Sequence, residues 1–544
     1  MHTGSQHTMM NSPLTLLGIL ERAYRYFPDV EVVSRIPGNT IHRYTWEYVY
    51  RRARRLAECL HVAGLKKGDR VATLMWNHYA HLEAQFGVPA SGGVLHALNL
   101  RLHPDEIAYI ANHGSDRFLI VDDVLLPVLD KIKDKVKFER IFVVNHCGDI
   151  SHTHEDYEGW LKQARGDYAF PAIDEQDGAA MCFTSGTTGN PKGVLYSHRA
   201  LVLHTMAQCM ADSCGVSQRD SVLMASSMFH VNGWGLAYTA AMTGAKLVLP
   251  GPFLDANSLL ELISNEKVSV SCAVPTVWMG VLAEMDNRGA EWRPPRDMRI
   301  LCGGTAAPES LMRGLDRHGM RMIHSWGMTE TSPQATVSYL RPAMESWTEQ
   351  EKYTHRAKQG YPLPFIETRL GTDNGVAPWD GKTIGELEVR GPWVAASYYN
   401  APETTDRWTK DGWFRTGDMA VIDPDGCVRL VDRSKDMVKS GGEWISSVDV
   451  ENELVGHPAV REAAVIAVPH EKWQERPLAV VVLREGARAT PEELREFLGR
   501  KFARWQLPDD VVFVSELPHT STGKLLKAEL RRKYSAWQWQ QPRE

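Results

Sequence analysis

Hydrophobic residues recur along the chain in two alternating rhythms. Leu14–Tyr26, Thr45–Ala63 and His78–Pro89 carry apolar positions at helical spacing, and the second of them is dense in arginine. Between and after them lie short apolar runs, at Arg70–Met75, Val94–Leu98, Phe118–Val121 and Arg140–Val144, which read as strands. This succession predicts an α/β fold, with mostly parallel sheets covered by helices. From about Ile384 the texture changes to short β-like runs, Gly385–Val389, Met419–Ile422 and Val428–Val431, separated by turns such as Asp423-Pro-Asp-Gly. A further unit follows: helix Val448–Leu454, strands Val460–Val468 and Leu478–Leu483, helix Pro491–Phe502. The organisation expected is a loose tail at 1–11, a large N-terminal domain of stacked α/β sheets at 12–433 with a β-rich subdomain at 384–433, a hinge at 434–436, and a small mobile α+β C-terminal domain at 437–544. Charged residues between two folded textures make the hinge plausible at Ser434-Lys435-Asp436.

Bulk properties narrow the function. At 544 residues the chain exceeds one ordinary core. Its net charge of −6 leaves no basic excess for a nucleic acid. No apolar run reaches the length of a membrane span, and the polar start, Met1–Asn11, lacks the signal-peptide pattern, so a cytoplasmic protein is expected. The eight cysteines form no CxxC pair and read as buried free thiols. The 21 histidines show no HExxH or paired spacing, so no protein-held metal is expected.

The most informative stretch is Phe183–Gly193, Phe-Thr-Ser-Gly-Thr-Thr-Gly-Asn-Pro-Lys-Gly. Four hydroxyls, three glycines and Lys192 offer a triphosphate what it needs: backbone N–H groups that approach closely, further donors, and a positive charge. The loop lies between two strand-like runs, Ala179–Phe183 and Gly193–Tyr196, and so belongs at a sheet edge. It is not a Walker A loop, because Gly193 rather than Ser or Thr follows Lys192. Ser325-Trp-Gly-Met-Thr-Glu330 supplies a flat indole, a hydroxyl at Thr329 and a carboxylate at Glu330 suited to Mg²⁺ held through substrate phosphates. Gly303-Gly-Thr-Ala-Ala-Pro308 follows a strand and leaves room for a ring against backbone. Trp413-Phe-Arg-Thr-Gly-Asp418 presents a carboxylate after a turn, as ribose hydroxyls require. Ser440-Gly-Gly-Glu-Trp444 after Lys439 suits backbone passage beside a second phosphate-bearing ligand, and Thr522-Gly-Lys524 projects an ammonium from a tight turn. Met228-Phe-His-Val-Asn-Gly-Trp234 and Val274-Pro-Thr-Val-Trp278 are mixed aromatic runs for which core packing is the plain alternative.

These motifs, in this order over residues 12–536, resemble the adenylate-forming acyl-CoA synthetases, nearest to bacterial medium- and long-chain fatty acyl-CoA synthetases and 3-methylmercaptopropionyl-CoA ligases. The resemblance implies catalytic roles for Lys524, Thr184 and Glu330, with Glu330 on Mg²⁺. It implies an ATP/AMP site of Thr184, Ser185, Gly186, Thr187, Thr188, Lys192, Gly303, Gly304, Thr305, Trp326, Gly327, Met328, Thr329, Asp418, Arg433 and Lys435. It places His230, Val231, Trp234, Trp278 and Pro333 around the acyl group, and Lys439, Gly441, Gly442, Glu443 and Trp444 on the CoA side. The reaction implied joins an aliphatic carboxylic acid to CoA at the expense of ATP through an acyl-adenylate, in a cytoplasmic homodimer. The acid implied is a medium- or long-chain fatty acid or a short one such as 3-methylmercaptopropionate. An acyl-AMP ligase that loads a carrier protein is the alternative; a light-emitting oxygenase and a non-catalytic nucleotide binder are weaker ones.

Overall fold

The protein was analysed as a computed structural model, which describes residues 8–147, 152–184, 190–289, 292–294, 297–440, 443–519 and 525–539. Two large sheets carry the first 360 residues or so. One has seven strands in the order Glu155–Asp156, Arg140–Val144, Asp116–Asp122, Arg70–Leu74, Val94–Ala97, Gly178–Phe183, Gly193–Ser197. All its pairings are parallel except the last. The other has nine strands in the order Tyr361–Pro362, Gln334–Val337, Met320–Gly327, Met298–Cys302, Val270–Ala273, Ser221–Leu223, Lys246–Leu249, Glu31–Ile36, Thr40–Thr45.

Helices fill the space between them. Helix Tyr79–Ala90 is buried at every one of its 12 residues, its polar His81, Glu83 and Gln85 being met by Thr73, Arg52 and the Asn232 carbonyl. Gly87 is needed there, since a Cβ would stand 2.8 Å from the Ala53 carbonyl of helix Trp46–Val62. A single apolar cluster joins Val71 and Leu95 of the first sheet, Phe86 and Trp46 of the helices, and Val222 and Leu247 of the second sheet. These two sheets are the α/β architecture that the alternation of periods implies.

A five-stranded antiparallel sheet follows, in the order Gly375–Val376, Glu367–Thr372, Gly385–Arg390, Phe414–Ile422, Val428–Arg433. The last sheet contains Glu443–Ile445, Val438–Ser440, Gln474–Leu483 and Val460–His470, with Asp510–Phe513 paired to Gln474–Leu483 in parallel. It has its own cores on both faces, around Val450, Leu494 and Val481 on one and Ile466, Leu478 and Leu530 on the other.

Three expectations are corrected. Helix Pro491–Leu498 is shorter than the expected 491–502, because Gly499 follows it as C-cap and Phe502 packs from a loop. The strand-like run Arg321–His324, expected to precede the Ser325 motif, runs on to Gly327, so Trp326 is a strand residue. Of the eight cysteines, none of which forms a disulfide, Cys147 is exposed rather than buried.

Candidate functional site

Strand Gly193–Ser197 is the edge of the seven-stranded sheet, so the loop entering it stands at a sheet edge as expected. The loop's base is closed twice: the Thr184 amide donates to the Lys192 carbonyl at 2.9 Å, and the Lys192 amide donates to Thr184 Oγ1 at 3.1 Å. Ser185, Gly186, Thr187 and Thr188 lie outside the described residues. The Lys192 ammonium stands 5.3 Å from the centre of the Tyr398 ring, a cation–π distance. Tyr398 Oη in turn donates to Glu330 Oε1. Burial first, then the Glu330 charge, push the Tyr398 hydroxyl up, so it stays a donor. Glu330 is itself fixed through its backbone, whose carbonyl accepts from the Ala395 amide at 2.8 Å. The Thr329 carbonyl accepts from Tyr196 Oη at 2.7 Å.

Across the same cleft, Trp326 Nε1–H donates to Asp418 Oδ2 at 2.9 Å, and Arg433 Nε reaches Asp418 Oδ1 at 2.6 Å. Both carboxylate oxygens are therefore oriented by donors, one neutral and one cationic. Asp418 sits on strand Phe414–Ile422 and pairs in register with Arg433, which explains why residues so far apart in sequence meet. Two glycines permit the close packing behind the indole. A Cβ on Gly327 would stand 1.9 Å from the Pro333 carbonyl oxygen, and one on Gly303 2.6 Å from the Ser325 carbonyl oxygen.

One cleft of about 1270 Å³ gathers these groups. Thr184, Lys192, Gly303, Gly304, Thr305, Trp326, Gly327, Met328, Thr329, Glu330, Asp418, Arg433 and Lys435 all line it. Another part of its wall is formed by His230, Val231, Trp234 and Pro333, together with Pro275, Thr276, Met279 and Leu301. Val231, Asn232, Gly233, Trp234 and Gly235 all take positive φ, from 39° to 75°, a left-handed turn that only surrounding contacts can hold. Gln208 supplies one contact, donating Nε2–H to the Trp234 carbonyl at 2.8 Å. The buried His204 ring accepts from the Gln334 amide at 3.2 Å, and burial lowers its pKa to about 3, so it is neutral.

Trp278 does not belong to this wall. It is fully buried in the cluster behind helix Pro275–Arg288, with Leu260, Val281 and Met312, while Thr276 and Met279 face the cleft. The error was one of helical phase, because the aromatic residue of the run points to the core. Lys439, Glu443 and Trp444 also lie away from the cleft. Lys439 pairs with Trp444 across a short hairpin, its ammonium 5.4 Å from an indole that is 47% exposed. Gly441, Gly442 and Lys524 lie outside the described residues. His519 and Leu525, on either side of Lys524, do line the cleft.

Sequence reasoning missed Tyr398, the link between Lys192 and Glu330. One tyrosine in Ser397-Tyr-Tyr-Asn400 carries no local signal. It also missed a buried polar knot beside Ser434-Lys435-Asp436. Asp432 Oδ2 accepts from the Ser447 amide at 2.7 Å and from its hydroxyl, and the Lys527 ammonium lies 2.6 Å from both Ser447 Oγ and Glu451 Oε1. Arg531 pairs with Asp436 alongside.

Comparison with known proteins decides what this cleft belongs to. The profile described as AMP-binding enzyme matches residues 20–399, and that described as AMP-binding enzyme C-terminal domain matches 449–524. The chain belongs to the AMP-binding enzymes. Within that family it is an adenylate-forming acid–thiol ligase. The chain is 48% identical to the long-chain-fatty-acid–CoA ligase of Thermus thermophilus, over 97% of each chain. It is 42% identical to the medium-chain-fatty-acid–CoA ligase of Ectopseudomonas oleovorans, again over 97% of each. The 3-methylmercaptopropionyl-CoA ligase of Ruegeria lacuscaerulensis is 41% identical, over 97% of this chain and 98% of that one. Among solved structures, the anthranilate CoA ligase AuaEII in complex with anthranoyl-AMP superposes with a TM-score of 0.85 at 26% identity. The match covers 97% of this AMP-binding enzyme and 98% of that chain.

Proposed function

We propose that this enzyme activates an aliphatic carboxylic acid in two half-reactions. A carboxylate oxygen first attacks the α-phosphorus of Mg²⁺·ATP, releasing pyrophosphate and leaving an acyl-adenylate. The CoA thiol then attacks the acyl carbon and displaces AMP. A carboxylate has no good leaving group, and adenylation supplies one. The observation that carries this reading is the convergence on one cleft of the Trp326–Asp418–Arg433 set with Glu330, Tyr398 and Lys192.

Asp418 is the ribose acceptor and Trp326 the purine wall, with Gly303, Gly304 and Thr305 beneath the ring. Thr184 and Lys192, at the base of the glycine-rich loop, hold the β- and γ-phosphates with Ser185, Gly186, Thr187 and Thr188. Glu330, a buried carboxylate fixed by Tyr398, offers the hard oxygen donor that Mg²⁺ accepts beside substrate phosphates. Lys524 bridges carboxylate and α-phosphate and stabilises the charge that develops between them.

The acyl chain lies against Val231, Trp234, Pro275, Met279 and Pro333, whose apolar character favours an aliphatic acid. The relatives are named for medium- and long-chain fatty acids and for 3-methylmercaptopropionate. The Lys439–Trp444 hairpin, with Gly441, Gly442 and Glu443, serves CoA in the second step. It lies away from the cleft while the flanks of Lys524 line it, the arrangement the first half-reaction needs. A rotation about Lys435, between an N-terminal domain at 12–433 and a C-terminal domain at 437–544, exchanges the two faces. The enzyme is expected to act as a cytoplasmic homodimer, for which the family resemblance is the support. Among the described residues no helix is long and apolar enough to cross a membrane.

Pyrophosphate release is the test, measured with acetate, 3-methylthiopropanoate, hexanoate, octanoate, palmitate and 4-coumarate, with and without CoA. A peak on aliphatic acids with CoA-dependent turnover is expected. Release without CoA turnover would indicate a carrier-protein acceptor, and no release on any acid would refute the reading. Lys435→Pro should spare adenylation and stop thioester formation; equal loss of both half-reactions would refute the hinge.

A further inference from the structure

A second polar cluster lies in the seven-stranded sheet, among residues that do not line the catalytic cleft. His78 Nε2 stands 2.8 Å from Asp122 Oδ1, and His146 Nε2 stands 3.2 Å from the same oxygen. All three side chains are fully buried. The three ligand atoms lie within 4.8 Å of one another. We propose that His78, Asp122 and His146 bind one first-row divalent transition-metal cation, of which Zn²⁺ is the type.

Topology supports the site independently of the donor set. From strand Arg70–Leu74 the chain passes through helix Tyr79–Ala90 to Val94–Ala97 on one side of it. It then crosses by helix Pro104–Gly114 to Asp116–Asp122 on the other side, and continues outward to Arg140–Val144. The carboxyl ends of Arg70–Leu74 and Asp116–Asp122 therefore flank the point where the strand order reverses. In open α/β sheets that crevice is where ligands bind. His78 follows the first of these strands, Asp122 ends the second, and His146 follows their outer neighbour. The adenylation cleft uses a different part of this sheet, the edge hairpin around Thr184 and Lys192.

The donor chemistry fits the cation class. Two imidazole nitrogens and one carboxylate oxygen suit Zn²⁺, Co²⁺ or Ni²⁺, whereas Mg²⁺ and Ca²⁺ take oxygen ligands. Bonds of ~2.0 Å in a tetrahedral site separate ligand atoms by about 3.3 Å. The His146–Asp122 distance of 3.2 Å already fits, and the His78–Asp122 distance of 2.8 Å must open by about half an ångström. His146 can follow that shift, because it lies in a surface turn between exposed Asn145 and exposed Cys147. Asp122 stays anchored meanwhile, since its Oδ2 accepts from the Trp76 amide at 2.9 Å.

A cation would replace only the two Nε2–Oδ1 bonds. His78 Nδ1 and His146 Nδ1 have no hydrogen-bond partner among the described residues, so no further protein bond is broken. The same fact limits affinity. Rings without outer acceptors hold a metal about 10–100-fold more weakly than buttressed ones. Sequence spacing hides the site, because its members are 44 and 24 residues apart.

The test uses the full chain, stripped by a chelator and titrated with Co²⁺ or Zn²⁺ in the absence of nucleotide. Visible absorption of bound Co²⁺ reports coordination, and melting temperature reports linkage to folding. One saturable equivalent, with a rise in melting temperature, is expected for the wild type and for His152→Ala/His154→Ala. Both signals should disappear in His146→Ala, whose fold the surface turn should tolerate, and in Asp122→Asn if circular dichroism shows it folded. Absence of a saturable Co²⁺ signal in the wild type would overturn the proposal. So would its persistence in His146→Ala, or its loss only in the double variant, which would place the metal on surface histidines.

Discussion

Lys527→Met is the most discriminating single change at the proposed hinge. The Lys527 ammonium lies 2.6 Å from Glu451 Oε1 and faces Asp432 and Asp436, and all of it is buried. Removing one partner of such a pair costs about 3–5 kcal/mol, because the other charge is left without compensation. Here the cost depends on pH. Burial raises Glu451 from its ordinary value of 4.5 to about 7, with Lys527 opposing the rise. A carboxyl whose folded pKa is raised favours the fold most below 4.5, and that contribution is lost as pH climbs through about 7. Without Lys527 the group stays protonated to higher pH, which offsets part of the damage. The offset is larger at pH 6 than at pH 8, by about 1 kcal/mol for one pKa unit of displacement. Urea unfolding followed by tryptophan fluorescence should therefore show the variant losing about 1 kcal/mol more at pH 8 than at pH 6. Glu451→Gln in the Lys527→Met background should recover most of the loss. A deficit below about 1 kcal/mol at pH 8, or an equal deficit at both pH values, would refute the coupled pair.

Asp418→Asn keeps an acceptor for Trp326 but removes the charge that Arg433 meets, so the ATP KM should rise about 10–100-fold with a smaller change in kcat. Pyrophosphate–ATP exchange measures it, and an unchanged KM would remove Asp418 from the nucleotide site. Gly327→Ala places a Cβ 1.9 Å from the Pro333 carbonyl oxygen, so it should cost about 3 kcal/mol in denaturant unfolding. A cost under about 1 kcal/mol would mean the strand pairing can shift freely. Trp278→Ala should lose about 3–5 kcal/mol of stability with unchanged acid preference, whereas Met279→Ala should shift chain-length preference with little loss. A changed preference in Trp278→Ala would return that residue to the acyl wall.

What was legible in the sequence was what is local. The glycine-rich loop, the Ser325–Glu330 run and the Asp418 turn carry their chemistry in contiguous residues, and Thr184, Lys192, Glu330 and Asp418 from them reach the cleft. Most element positions were equally plain, because buried parallel strands such as Arg140–Val144 are short apolar runs with sharp ends. Phase was less plain. Nothing in Val274-Pro-Thr-Val-Trp278 says which side of the helix meets the cavity, and the largest residue was assigned to the wrong side. Pairings across long separations were invisible. Trp326 and Asp418 are 92 residues apart, and Lys527 and Ser447 are 80 apart.

The position of those long-range pairs bears on how the two steps of catalysis are coupled. Asp432 and Arg433 are neighbours on one strand, with side chains on opposite faces. Arg433 fixes Asp418 on the nucleotide side, and Asp432 receives Ser447, the first residue of the helix that carries Glu451. The start of helix Lys527–Lys533, just beyond Lys524, docks on the same knot through Lys527. A nucleotide that tightens Arg433 on Asp418 therefore acts on the strand that also anchors the C-terminal segment. Release of AMP would loosen both ends of it together. On the proposed function, domain rotation need not wait for a signal to travel across the fold, because Arg433 on Asp418 and Asp432 at the C-terminal dock are adjacent residues.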